Sequence, residues 1–256
     1  MENNSKQNNN IEIWSEGNVH LKNLLLSCID NNVQSMYSCA GHGKKKPAYI
    51  TLKMDESTIP KIYNIIKSLH EKDDISYRFA QKEYGKDASF TVYMAKENLR
   101  DNYMDTISEA LSREAKLDEL PNNLRTVIKL SEIFRTNEIG YDLEYSLGKK
   151  RNLTIDNLKF ADKVHLYNED FKSMGFKIKK DLANNPVYQM KGLKSGAKEQ
   201  TMLNSILSFV SKRYPKKRED SFFEELHDMK KDVEFMGKTS ELTKINEKQK
   251  DVKEIG

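Results

Sequence analysis

From Ile11 onward the chain switches repeatedly between two hydrophobic periods. Val19, Leu21, Leu24, Leu25, Cys28 and Ile29 recur at helical intervals before the polar stop Asp30-Asn31-Asn32, which predicts an amphipathic helix over 18–30. The period then drops to two. Val33, Ser35 and Tyr37 alternate with Gln34, Met36 and Ser38, and Ala48, Ile50, Leu52 and Met54 alternate with Tyr49, Thr51 and Lys53, so two antiparallel strands are expected. Ile59, Ile62, Tyr63, Ile66 and Leu69 form the stripe of a second helix, with Pro60 in its first turn and Asp55 or Ser57 as its cap. Two more strands follow, carrying Ile75-x-Tyr77-x-Phe79 and Phe90-x-Val92-x-Met94, with Gly85 and Asp87 between them. A helix from about 98 to 117, with Leu99, Tyr103, Ile107, Ala110 and Leu111 on one face, closes the unit. The order α-β-β-α-β-β-α predicts an α+β fold, a small antiparallel sheet covered by helices.

Pro121-Asn122-Asn123 reads as a linker into a mainly helical second half. Leu124, Val127, Ile128 and Phe134 suggest a helix, and Tyr141, Leu143, Tyr145 and Leu147 alternate as a short strand does. Helices are expected over 154–174, 197–213 and 220–235, with 176–194 a strand or loop. The Asn-rich residues 1–10 and the charged tail 237–256 have too little apolar surface to offset ordering entropy. The expected organisation is therefore a disordered lead (1–10), an α+β domain (11–120), a basic helical domain (122–236) and a disordered tail (237–256).

Composition narrows the setting. In 256 residues there are two cysteines, 37% hydrophobic and 32% charged residues, so a disulfide framework is excluded and the surface is highly charged. Apolar runs such as Leu24-Leu25-Leu26 are far below the roughly 18 residues of a membrane span, and no hydrophobic signal core is visible. A cytoplasmic protein that does not enter membranes is expected. The net charge of +4 hides an asymmetry: residues 122–218 carry 20 Lys and Arg against 10 Asp and Glu, whereas residues 1–121 carry 16 against 18. A block of net +10 attracts polyanions.

The stretch Cys39-Ala40-Gly41-His42-Gly43-Lys44-Lys45-Lys46-Pro47 joins the first two strands and exceeds the two to five residues of an ordinary hairpin loop. Two glycines permit positive φ and close backbone approach, successive amides can face an anion, and Lys44, Lys45 and Lys46 supply countercharge, so phosphate binding suits it. An exposed basic turn with no ligand fits the same residues. No Gly-Lys-Ser or Gly-Lys-Thr follows, so it is not a nucleotide-binding P-loop. Cys39 and His42 are spaced to chelate one ion, with Cys28 and His20 as further candidate ligands. Cys28, however, sits among Leu24, Leu25 and Ile29 like a core residue, and no second Cys-x-x-Cys is present, so zinc is disfavoured and no metal site is assigned. Cys39 as nucleophile with His42 as base is a third reading, without an evident third group to orient the histidine.

Residues 17–54, with Ser38-Cys39-Ala40-Gly41-His42 between two strands, resemble the opening of the wybutosine-synthesis methyltransferase family, which modifies guanosine in tRNA. That family carries Ser-Ser-Cys-Ser-Gly-Arg in this setting. Here Ser38, Cys39 and Gly41 match, while Tyr37, Ala40 and His42 replace the first serine, the second serine and the arginine. The resemblance spans about 15% of the chain. It implies S-adenosylmethionine as cofactor, an RNA substrate, and a site near Ser38, Cys39 and Gly41, with Gly43 alongside.

The basic block points to the same class of partner. Lys149-Lys150-Arg151, Lys177 with Lys179 and Lys180, and Lys212-Arg213 with Lys216-Lys217-Arg218 are interleaved with Tyr141, Tyr145, Phe176, Tyr188 and Tyr214, a mixture suited to phosphate neutralisation and base stacking. The opposing reading makes these aromatics core. His70 and His227 read as surface residues, His165 as a helix-face residue, and Asp142 with Glu144 as a pair of carboxylates on one side of a strand. The sequence thus predicts a nucleic-acid-associated protein, with RNA favoured and RNA modification one form of it. A protein-binding module and a small-molecule phosphate enzyme are the alternatives.

Overall fold

The computed structural model describes residues 11–43, 46–72, 74–81, 87–137, 139–146, 152–158, 168–180, 182, 184, 186–194 and 197–213. Eight strands lie among them: β1 (Ser35–Cys39), β2 (Ala48–Lys53), β3 (Ile75–Gln81), β4 (Ser89–Met94), β5 (Tyr141–Ser146), β6 (Asn152–Leu158), β7 (Lys177–Lys180) and β8 (Pro186–Lys194). The helices are α1 (Val19–Asp30), α2 (Ile59–Leu69), α3 (Arg100–Leu111), α4 (Asn122–Thr136), α5 (Asn168–Ser173) and α6 (Ala197–Arg213). The strands form one antiparallel sheet in the order β1-β2-β4-β3-β5-β6-β8-β7, and the fold is α+β.

The period-two pattern decides which face is covered. Along β2, β4, β3 and β5, Ile50 and Leu52, Phe90 and Val92, Tyr77 and Phe79, and Leu143 and Tyr145 are buried on the same side. Against them lie the helical stripes Leu21-Leu24-Leu25 of α1, Ile62-Ile65-Ile66-Leu69 of α2 and Met104-Ile107-Leu111 of α3. Each fully buried Leu, Ile or Phe contributes about 1.5–3 kcal/mol relative to exposure. Buried polar ties fix the helices: Asn64 Nδ2 donates to the Ala110 carbonyl at 2.6 Å, and Tyr63 Oη donates to Glu132 at 2.8 Å. Asn18 caps α1, its Oδ1 accepting the Leu21 amide at 2.8 Å, while its Nδ2 donates to Asp101 of α3 at 3.1 Å.

Asp55 closes the turn before α2 rather than standing at its N-cap, which is Thr58; Asp55 Oδ1 accepts the Thr58 amide and the Ser57 hydroxyl. Partial burial raises the Asp55 pKa, but those hydrogen bonds outweigh it and hold the carboxyl below its usual range.

The second half differs from the mainly helical expectation. Residues 154–158, read as the start of a helix over 154–174, belong to strand β6, because their neighbours β5 and β8 offer edges for pairing; among the described residues of that range, helix α5 occupies Asn168–Ser173. Segment 176–194 supplies β7 and β8. Pro121 is no break in the sheet either: β5, beyond it, pairs with β3, before it, from Ser76↔Ser146 to Gln81↔Tyr141. The described residues fall in one unit ending at Pro215. A division between 11–120 and 122–236 is therefore not visible in them. The expected helix 220–235 and both terminal segments lie outside the described residues.

Candidate functional site

The turn after β1 is occupied by a carboxylate from its own chain. Glu16 Oε2 accepts the Ala40 amide at 3.0 Å, lies 3.3 Å from His42 Nε2 and accepts the Cys39 thiol at 3.8 Å. The Gly41 amide donates to Cys39 Sγ at 3.4 Å, and the His42 amide to the Lys46 carbonyl at 2.9 Å. The amides expected to face a phosphate are thus taken by Glu16, Cys39 and Lys46. Gly41 and Gly43 have φ of +87° and +70°. At Gly41 a Cβ would stand 2.9 Å from the Ala48 nitrogen, so the close approach requires glycine. Arg100 of α3 donates from Nη1 to the Gly41 carbonyl at 3.1 Å, tying the turn to the helix layer.

Glu16 reaches this position through backbone that L-residues seldom adopt. It has φ of +53° and is followed by Gly17 at +75°, so the chain reverses sharply between the turn at Ile11–Ser15 and α1. Left-handed backbone at a non-glycine costs about 1–2 kcal/mol. Cys39 and His42 both contact Glu16 Oε2, and the donor atoms of the three side chains lie within 4.8 Å of one another.

The face of β1, β2, β4 and β3 opposite the helical stripes of α1, α2 and α3 carries a trough of about 700 Å³. Tyr37, Tyr49 and Tyr93 line it; the last two are cross-strand partners with ring centroids 5.7 Å apart at 49°. Thr51 and Thr91 share a 2.9 Å hydroxyl hydrogen bond in its buried floor. Arg78 crosses it, donating from Nη1 to Tyr93 Oη at 3.5 Å while its Nε and Nη2 hold Asp142. A second cleft of about 250 Å³, lined by Ile13, Trp14, Glu16 and Ser38, shares Met36, Tyr37 and Tyr49 with the trough. Glu16 therefore stands at its rim. Partial burial, with Cys39, Tyr93 and Glu16 nearby, pushes the Tyr49 phenol above its ordinary pKa and keeps it a hydrogen-bond donor.

Of the residues singled out in the sequence, Cys39 is half-buried, and Ser38, also half-buried, donates from Oγ to the Trp14 carbonyl at 3.3 Å. His42 and Lys46 are exposed, as are Lys177, Lys179, Lys180 and Lys212. Lys212 borders a groove along α6 with Thr201, Ser205 and Phe209. Arg213 is the last residue of α6. Lys44, Lys45, Lys149, Lys150, Arg151, Tyr214, Lys216, Lys217, Arg218, His165 and His227 lie outside the described residues.

Two groupings suggested by spacing are not assembled. Cys28 is fully buried in α1, its thiol pushed up to about 12 by burial, and His20 Nδ1 lies 2.9 Å from both Asp105 carboxylate oxygens, so neither joins Cys39 and His42. Tyr141, Tyr145, Phe176 and Tyr188 are 4% exposed or less and belong to the core, not to a stacking surface with the neighbouring lysines. The rings that line the trough are instead exposed Tyr37 and half-buried Tyr49 and Tyr93, from the acidic half. For Tyr49 and Tyr93 the signal was visible as polar-side positions of alternating strands held by aromatics. Glu16 gave no such signal, because 23 residues separate it from Cys39.

Comparison with protein families, curated proteins and solved structures returns no match to this chain. Among the described residues no helix is long and apolar enough to cross a membrane.

Proposed function

We propose that this protein binds single-stranded nucleic acid, RNA in particular, with bases stacked among Tyr37, Tyr49 and Tyr93 in the sheet trough. The observation that carries this reading is the placement of three tyrosine rings along one trough of the sheet, two of them cross-strand partners. Base–aromatic stacking contributes about 1–3 kcal/mol per base and tolerates any sequence. The charged groups of the trough are paired with one another, Arg78 with Asp142 and Lys53 with Asp87, so its interior suits bases better than phosphates. The backbone would run at the rim, toward exposed Lys46, with the basic block 122–218 supplying the longer-range field.

Fluorescence anisotropy of the full chain with a labelled single-stranded RNA, at two salt concentrations, tests this. Tyr37→Ala or Tyr93→Ala is expected to weaken binding by about 1–3 kcal/mol, and added salt to weaken it further. No binding at low salt, or binding indifferent to both substitutions, rejects the reading. Equal affinity for DNA of the same sequence removes the preference for RNA. The methyltransferase resemblance adds S-adenosylmethionine as a cofactor, which would raise the melting temperature on binding.

A protein partner is the second reading. It rests on Ile13 and Trp14, 72% and 50% exposed beside the smaller cleft. Capture of a partner that survives nuclease and high salt, and is lost in Trp14→Ala, favours it.

A further inference from the structure

We propose that Glu16, Cys39 and His42 form a binding site for one Zn²⁺ ion, with a fourth position left open. Oxygen, sulfur and nitrogen ligand atoms of the three side chains all lie within 4.8 Å of one another. Around a tetrahedral zinc with bonds of about 2.0–2.3 Å, ligand atoms stand about 3.3–3.7 Å apart. Glu16 Oε2 is 3.3 Å from His42 Nε2 and 3.8 Å from Cys39 Sγ, so one edge of such a tetrahedron is already at length and the second is slightly longer. The third closes by rotation of the exposed His42 ring.

The donor set is selective. One thiolate and one imidazole suit zinc over magnesium or calcium, which prefer all-oxygen sites. On binding, the Cys39 S–H bond breaks, its proton leaves to solvent and the sulfur lone pair forms the S–Zn bond. The two anionic ligands then balance the charge of the ion, with neutral His42 as the third donor. No redox change is involved.

The surroundings hold the donors where they are. The Ala40 amide orients the Glu16 carboxylate and the Gly41 amide points at Cys39 Sγ, which are the hydrogen bonds that position ligands from outside the coordination sphere. Arg100 fixes the turn through the Gly41 carbonyl. The left-handed backbone at Glu16 is the strain that keeps its carboxylate over the turn. Three protein donors and an open fourth position are the pattern of catalytic zinc rather than of closed structural sites.

Cobalt titration of the chelator-treated full-length protein tests the site without reference to RNA. A thiolate-to-cobalt charge-transfer band is expected to saturate at one equivalent and to bleach when Zn²⁺ is added. Cys39→Ser is expected to abolish the band, His42→Ala to weaken affinity at least tenfold, and Cys28→Ala to leave the band intact. Far-ultraviolet circular dichroism verifies that each variant is folded, and His42 lies on an exposed turn where substitution is tolerated. No band in the folded wild-type chain overturns the proposal, as does a band that persists in Cys39→Ser.

Discussion

Arg78 on β3 and Asp142 on β5 face each other as a fork and a carboxylate, Nε donating to Oδ1 at 2.6 Å and Nη2 to Oδ2. The pair crosses the seam between the first four strands and the rest of the sheet, and it keeps the Arg78 guanidinium, which lines the trough, neutralised. Hydrogen bonding to Asp142 is the main cause raising the Arg78 pKa above its ordinary value. Asp142→Ala leaves a half-buried cation without its partner and is expected to lower stability by about 1–2 kcal/mol in urea denaturation. The same variant frees Arg78 toward the trough, so RNA affinity is expected to rise while stability falls. A fall in both would mean that Arg78 contributes nothing to an anion.

Asn18 joins two helices with one side chain, capping α1 through Oδ1 and holding Asp101 of α3 through Nδ2. Asn18→Ala is expected to cost about 1 kcal/mol, and Asn18→Asp to retain the cap but set a second carboxylate beside Asp101. Thermal unfolding of both variants separates cap from crosslink.

Gly41→Ala meets two obstacles at once, a φ of +87° and an Ala48 nitrogen 2.9 Å from the new Cβ. The backbone term alone is about 1–2 kcal/mol. The turn is expected to open locally, and thiol labelling of Cys39 is expected to quicken more than global stability falls. Gly43→Ala carries the φ penalty without the collision, since nothing lies within 4 Å of its Cβ direction.

His20 is raised above its ordinary pKa of about 6.5, chiefly by its hydrogen bond to Asp105, against a smaller opposing effect of burial. A raised folded-state value means that the protonated ring stabilises the fold. That contribution is complete below the unfolded-state pKa and is lost as pH rises through the higher folded-state value. Asp105→Asn is expected to bring the ring back toward its ordinary titration and to flatten this pH dependence, read by proton NMR of the His20 ring.

The strands and helices of the first half were legible because each buries one face, and a one-residue slip would turn Ile50, Leu52, Phe90 and Val92 to solvent. Strand β6 was not. Leu153, Ile155 and Leu158 fit a helical spacing as well as a strand, and only the β5 and β8 neighbours decide between them. The aromatic surface was misplaced for a related reason. Tyr141 and Tyr145 sit near lysines in sequence, but their strand positions turn them into the core, while Tyr49 and Tyr93 took the polar side of alternating strands. Cys39 and His42 were recognisable as a chelating pair, yet their partner Glu16 is brought in by a tertiary turn that no local spacing encodes.

The left-handed backbone at Glu16 sets thermal robustness and chemistry against each other at a single position. A glycine there would relax the bend and add roughly 1 kcal/mol to the folded state, yet the sulfur and imidazole across the gap would lose their oxygen companion. Heat tolerance gained at residue 16 would therefore be a warning sign, since the sturdier protein would be the one least able to hold an ion.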